Sequence, residues 1–212
     1  MALLYTSRRN ARLSPAYLAG LIAADGSLET KDPFITLPSA DRDFLEKHAR
    51  HYLEAVTGRK TKCFVDKGAK VYKLRMYNLC AWKLLTTRYG VSTGAKSRIV
   101  RPPLKLGQKE EIPYLQGWFD GEGWIEVLRV RSKQVHTYPR IGLKVRSKRI
   151  RNWIVKMIRK RGIRISSYDR SDETFGLWIN GFNACELFRK RIGFGYPKKN
   201  KALKRLVAKC RG

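Results

Sequence analysis

The apolar positions of this chain change rhythm repeatedly, and they do so in the same order twice. Over residues 41–57, Phe44, Leu45, His48, Tyr52 and Val56 share one face at helical spacing, and Gly58 supplies a stop. Ahead of that helix SLETKDPFITLPS reads as a short hairpin. Behind it TKCFVDKG and KVYKLRMYN alternate as strands, and a further helix spans about 79–89. The second half repeats this order. Strands fall near 124–133 and 138–146, and a helix then carries Ile150, Trp153, Ile154, Met157 and Ile158 on one stripe before Gly162. Strands near 164–170 and 174–180 precede a last helix near 183–192. With a small-residue apolar helix at the front of each set, the pattern predicts an α+β protein of two pseudo-symmetric αββαββα units, each with an antiparallel sheet. Residues 1–100 form the first half and 114–212 the second, joined by a basic, proline-paired linker over 101–113.

Those front helices are copies of one another. YLAGLIAADGSLE (17–29) aligns with YLQGWFDGEGWIE (114–126), with Tyr, Leu, Gly, Gly and Glu coinciding and Asp25 facing Glu122. Gly20 and Ala24 stand four apart, as do Gly117 and Gly121, so each helix carries a flat strip that another helix can approach closely. Packing the two strips together relates the halves by a pseudo-twofold axis and delivers Asp25 and Glu122 to one place. Gly26 and Gly123 are expected to stop the two helices. Two carboxylates beside two helix C-termini repel each other, and a hard divalent ion liganded by carboxylate, carbonyl and water relieves the conflict. Beside a phosphodiester such an ion activates water and holds the leaving oxygen. One carboxylate per half then implies one cut per strand.

Charge turns this from a packing pattern into a functional one. Forty-six Lys and Arg against 17 Asp and Glu leave a net charge of +29, which suits a protein that sits beside a polyanion. Nucleic acid fits better than a membrane surface, because the cations do not collect on one amphipathic helix. In VYKLRMY, Lys73 and Arg75 alternate with apolar residues, and in RIGLKVR so do Arg140, Lys144 and Arg146; Arg129 and Arg131 lie on the strand before. The result is a pair of sheets with an apolar back and a basic front, suited to base edges in the major groove, unless the cations are simply solvated. Cys63, Cys80, Cys185 and Cys210 show no CxxC spacing, so neither a disulfide framework nor a cysteine zinc site is indicated. The N-terminal apolar run is too short for a signal peptide, and an intracellular, soluble protein is expected.

LAGLIAADG and LQGWFDGEG resemble the paired motifs of monomeric LAGLIDADG homing endonucleases, and the repeat covers nearly the whole chain. The resemblance implies sheets forming a saddle over double-stranded DNA, and hydrolysis of both strands across the minor groove with a divalent metal, Mg²⁺ foremost, leaving 3′ overhangs at a long target. It implies an intron-encoded monomer, with Asp25 and Glu122 as the metal-binding catalytic acids and the carbonyls of Ala24 and Gly121 as further ligands. Ala23 departs from the motif where Asp is common, whereas Asp120 keeps it. A basic residue after the last helix of each half is implied at Lys96 and at Lys198 or Lys199. Ser39 and Ser147 stand where relatives orient water or phosphate, though both also suit helix N-caps. His48 and His51 lack ligand partners at metal spacing. The tail KKNKALKRLVAKCRG reads as a basic helix on backbone phosphates or as a solvated extension. A non-cleaving protein of the same fold, an RNA splicing maturase or a DNA-binding regulator, is the competing reading. Retention of both acids favours the enzyme.

Overall fold

The computed structural model describes residues 14–61, 63–66, 71–94, 100–131, 135–170 and 172–209, with the side chains of 65, 66, 129–131, 135 and 136 left aside. The first helix, α1 (Pro15–Ala24), starts where Ser14 accepts a hydrogen bond from the Ala16 N–H and Pro15 presets the first turn. Strands β1 (Ser27–Leu28) and β2 (Phe34–Ser39) follow. The next helix is continuous in space but has three parts: α2 (Arg42–Phe44), a π-turn (Leu45–Ala49) and α3 (Arg50–Thr57). Asp41 caps it by accepting from the Phe44 N–H at 3.1 Å, and Gly58 ends it in the left-handed region with φ 67°. After β3 (Cys63–Asp66) and β4 (Val71–Tyr77), α4 (Leu79–Lys83) runs into a second π-turn (Leu84–Arg88).

The second half has the same order. Helix α5 (Glu111–Glu122) leads into β5 (Gly123–Arg131), β6 (Val135–Val145), α6 (Lys148–Arg159), β7 (Ser166–Asp169), β8 (Phe175–Asn180), α7 (Phe182–Arg191) and α8 (Pro197–Lys209). Each half holds one four-stranded antiparallel sheet, ordered β1-β2-β4-β3 and β5-β6-β8-β7, so the two sheets are topological copies. Their apolar faces carry Ile35, Leu37, Leu74 and Met76 on one sheet and Ile141, Leu143, Leu177 and Ile179 on the other, all in the buried core with the helices. Alternation sends the remaining strand residues to the opposite front. The tail helix α8 buries Leu203 and Val207, so it docks on the fold instead of extending from it. Among the described residues no helix is long and apolar enough to cross a membrane.

The halves meet through α1 and α5. Helix α1 is apolar all round because it has no solvent side: Ala16 through Ala23 are all buried. The glycine strips set the distance. A Cβ on Gly20 would stand 2.1 Å from the Tyr114 carbonyl oxygen, and one on Gly117 would stand 2.2 Å from that of Tyr17. These contacts are to backbone, which has no rotamer with which to yield.

Gly26 and Gly123 stand where α1 and α5 end, as expected of stops, but not in the left-handed region. Neither has positive φ; Gly123 is extended at φ −91°, ψ 147°. They are glycines because of space. A Cβ on Gly26 would lie 2.9 Å from the Thr36 oxygen, and one on Gly123 would lie 2.4 Å from the Phe119 oxygen.

Gly117→Ala forces the two backbones apart and is expected to destabilise the fold by about 1–3 kcal/mol or more, the usual cost of overpacking. Urea denaturation measures it, and an unchanged midpoint would show that the helices do not need this approach.

Candidate functional site

The acids are placed by the helix ends. Asp25 is the C-cap residue of α1, with its N–H bonded to the Leu21 carbonyl at 3.0 Å and its side chain exposed. Glu122, half-buried, is the last residue of α5. The two ends converge, since a Cβ on Gly121 would lie 2.8 Å from the Ala24 Cβ and 3.4 Å from the Asp25 Cβ. A cleft of about 250 Å³ opens beside this point, bordered by Ala24, Trp118, Glu122, Lys144 and Arg146.

A cation sits at the same convergence. Lys199 Nζ donates to the carbonyls of Asp120 at 2.7 Å, Gly123 at 2.8 Å and Phe119 at 3.2 Å, the last turn of α5. It thereby caps the negative end of that helix dipole. Burial lowers the Lys199 pKa, while Asp120, Asp25, Asp41 and Glu122 all pull it back up. Lys198 points elsewhere, to Asp41 Oδ2 at 3.0 Å on the exposed surface. Lys96 lies outside the described residues.

Asp120, the motif acid that Ala23 replaces in the first copy, is buried. The hydroxyl of Tyr17 donates to its Oδ2 at 2.7 Å, and the Tyr196 N–H donates to the same oxygen at 2.7 Å. Burial pushes its carboxyl up to about 6, against the lowering effects of the Tyr17 hydroxyl and Lys199. His48 Nε2 lies 2.9 Å from the Tyr17 hydroxyl, and the ring packs against Phe44, Tyr52 and Tyr196. Burial, then the neighbouring His51, pushes the His48 pKa down to about 4, so the ring is neutral near pH 7. In sequence, this network shows only as one Asp where its copy has Ala.

Of the two serines, Ser147 takes the N-cap role and Ser39 does not. Ser147 is the N-cap of α6, accepting from the Ile150 N–H, and its hydroxyl donates to the Val100 carbonyl while only 3% exposed. It is therefore withdrawn from water, which favours the cap over the water-positioning alternative. Ser39 is no cap, since Asp41 caps α2; its hydroxyl accepts from the Asp41 N–H at 3.1 Å and remains partly exposed.

On the sheet fronts, Lys73 and Arg75 project from β4, and Arg140 and Lys144 from β6, with Arg146 just beyond its end. Lys144 pairs with Asp172 at 2.7 Å. Arg129 and Arg131 are described only as register positions on β5, opposite Thr137 and Val135.

Comparison with known proteins fits this geometry. Residues 13–88 match the model of the LAGLIDADG-like domain. Over those residues the chain is similar to that domain, and its fold is shared with LAGLIDADG meganucleases of known structure. The structure of I-DmoI in complex with DNA and Mn superposes with a TM-score of 0.61 at 17% identity, covering 86% of this chain and 97% of the other. The meganuclease I-SmaMI bound to uncleavable DNA gives 0.66 at 10% identity, with 95% and 92% covered. The LAGLIDADG meganuclease I-AabMI bound to uncleaved DNA gives 0.63 at 14%, with 93% and 90% covered. No curated protein sequence matches the chain. The family model spans one LAGLIDADG helix, α1, while the structural likeness extends over both.

Tyr17→Phe removes a donor to the buried Asp120 without changing shape. It is expected to cost about 1–3 kcal/mol, the desolvation penalty of an under-bonded buried acceptor. Chemical denaturation reads the loss, and wild-type stability would mean that the backbone N–H groups of Gly195 and Tyr196 satisfy the carboxylate without it.

Proposed function

We propose that this LAGLIDADG chain is a site-specific DNA endonuclease that hydrolyses one phosphodiester in each strand of a long target. The observation that carries the reading is the convergence of Asp25 and Glu122 at one end of the α1–α5 interface, between two sheets whose fronts bear arginine and lysine. The fold, shared with proteins whose structures contain DNA, supports the same reading. The duplex lies along both sheet fronts as across a saddle, with its minor groove over the acids, and cutting leaves 3′ overhangs.

The donors proposed for the convergence are hard oxygens: the carboxylates of Asp25 and Glu122 and the carbonyls of Ala24 and Gly121. That set fits a divalent ion such as Mg²⁺, which keeps several waters and accepts phosphate oxygens. When bound, such an ion lowers the pKa of water and neutralises charge developing on the phosphate. The side chains do the rest. Asp25 and Glu122 each anchor one active site, so each half of the molecule addresses one strand. Lys199 takes the place expected of the basic residue after the last helix. Its hydrogen bonds to the end of α5 put a positive charge beside the acids, whereas Lys198 is tied to Asp41. Lys96 is the corresponding proposal for the first half. Lys73, Arg75, Arg140, Lys144 and Arg146 supply the front that faces the duplex, whereas the register of β5 places Arg129 and Arg131 on the face of Ile125, which corrects their assignment to that front. The protein acts as a monomer because both sites lie in one chain.

The test selects a target from a randomised duplex library and assays cutting of a plasmid carrying it. Asp25→Asn and Glu122→Gln are expected to abolish double-strand cutting while retaining affinity for the target, and chelation of divalent ions is expected to stop the wild-type reaction. Retained cutting with lost affinity would overturn the assignment of the acids. A second comparison separates the neighbouring lysines: Lys199→Met is expected to slow cutting by at least about 10²-fold, the scale of one electrostatic contribution to catalysis. Lys198→Met is expected to leave it near wild type. The reverse order would return the role to Lys198.

A further inference from the structure

Among the described residues, each sheet front holds one arginine that is fastened twice. In the first half, Arg75 Nη2 donates to Glu29 Oε1 at 2.6 Å, and its guanidinium carbon lies 4.0 Å from the centre of the Phe34 ring. In the second half, Arg140 Nε donates to Glu126 Oε1 at 2.6 Å, and its guanidinium carbon lies 3.7 Å from the Trp178 ring. Glu29 and Glu126 occupy the same place in the repeat, each four residues beyond its acid, Asp25 or Glu122.

The other two members have exchanged places. Thr36 pairs with Ser27 and Arg75, and Gly142 pairs with Trp124 and Trp178. Since Ser27 and Trp124 coincide in the repeat, Arg75 stands where the second half has Trp178. Phe34, two residues before Thr36, stands where the second half has Arg140. The halves therefore keep the same trio of glutamate, arginine and ring, although arginine and ring are transposed between strands.

The second trio is also seated deliberately. A Cβ on Gly142 would lie 2.4 Å from Trp124 and 2.6 Å from Trp178, and one on Gly176 would lie 2.5 Å from Tyr168. The bare backbone lets Trp124, Trp178 and Tyr168 lie close over the sheet, with the Tyr168 and Trp178 rings parallel to within 3°. Arg140 rests on that layer.

An arginine paired with a carboxylate carries little net charge, so it adds little to the attraction for phosphate. What the pairing does add is orientation. A guanidinium has five N–H donors in a fixed plane, and the clamp leaves others free for a ligand. Stacking and the hydrogen bond together remove the rotamers that would allow it to follow a phosphate or another base. A planar fork so held matches the O6 and N7 acceptors of guanine in the major groove.

Resting on the DNA-cutting reading above, we infer that Arg75 and Arg140 are guanine readers, with Glu29 and Phe34, and Glu126 and Trp178, as their positioning residues. The target then carries one guanine in each half, at near-mirror positions about the cleavage centre.

Selection of the full chain on a randomised duplex library in Ca²⁺, followed by sequencing of the retained DNA, tests this directly. A guanine is expected to be strongly enriched at one position in each half. Glu29→Gln is expected to reduce discrimination for guanine about 10-fold at one position in one half, and Glu126→Gln to do the same in the other. Overall affinity should hold or rise, because each change removes an anion. Phe34→Leu is expected to act at the same position as Glu29→Gln. No guanine preference in either half, or a change spread evenly over all positions, overturns the inference while leaving the endonuclease reading intact. Failure to retain any duplex overturns both.

Discussion

Two helices touching at the backbone constrain everything else here. Where α1 meets α5, the Tyr17 and Tyr114 carbonyls occupy the volume in which side chains of Gly117 and Gly20 would begin. Contact that close has no play, because main-chain atoms cannot rotate aside as side chains can. The separation of the halves is thus fixed to a fraction of an ångström, and with it the relation between two sheets and two carboxylates. For the proposed cutting of both strands of a duplex of fixed geometry, that rigidity is the useful property. A looser apolar seam of leucines would bury as much surface while allowing the halves to rock.

The same closeness creates an electrostatic problem. Two helix C-termini and their two acids are brought to one spot, and each helix end already carries partial negative charge. Lys199 answers part of this by donating to three carbonyls at the end of α5. Asp120 is kept apart from the problem by burial, bonded to a tyrosine of the other motif helix and to the N–H of Tyr196. The Tyr17–Asp120 bond crosses the pseudo-twofold interface, so a single polar contact locks the apolar seam in register. Because the first copy has Ala23 in that place, the lock is one-sided. Tyr17 and His48 fill out the partner side.

Much of this was legible in the sequence, for a physical reason. Strand alternation and helical stripes record which residues meet the core, and that record is local, so the element order of both halves and the stop at Gly58 read correctly. Tertiary space leaves no such record. Gly26 and Gly123 do mark the helix ends, but a glycine demanded by a nearby carbonyl has the same letter as one demanded by positive φ. The neighbouring lysines show the same limit. Successive residues on a helix point about 100° apart, so the docking angle of α8 decides that Lys199 and not Lys198 faces the acids. Ser147 likewise suited both a cap and a water site until Val100 was seen to take its hydroxyl.

The distribution of charge separates two jobs that a basic protein is usually assumed to do with the same residues. A charge of +29 guarantees attraction to a polyanion whatever its sequence. Non-specific attraction alone would hold the chain on any duplex and slow its search for one site. Specificity has to come from groups that gain little on the wrong sequence, and an arginine already neutralised by a glutamate is such a group: its phosphate attraction is largely spent inside the protein. Two of the chain's 17 acids, Glu29 and Glu126, are placed on the arginine- and lysine-bearing fronts, each hydrogen-bonded to an arginine that also lies against a ring. An acid facing DNA is a cost unless it makes a cation selective. That cost, met at the same place in each repeat, is the physical reason to regard these fronts as built for reading as well as for holding.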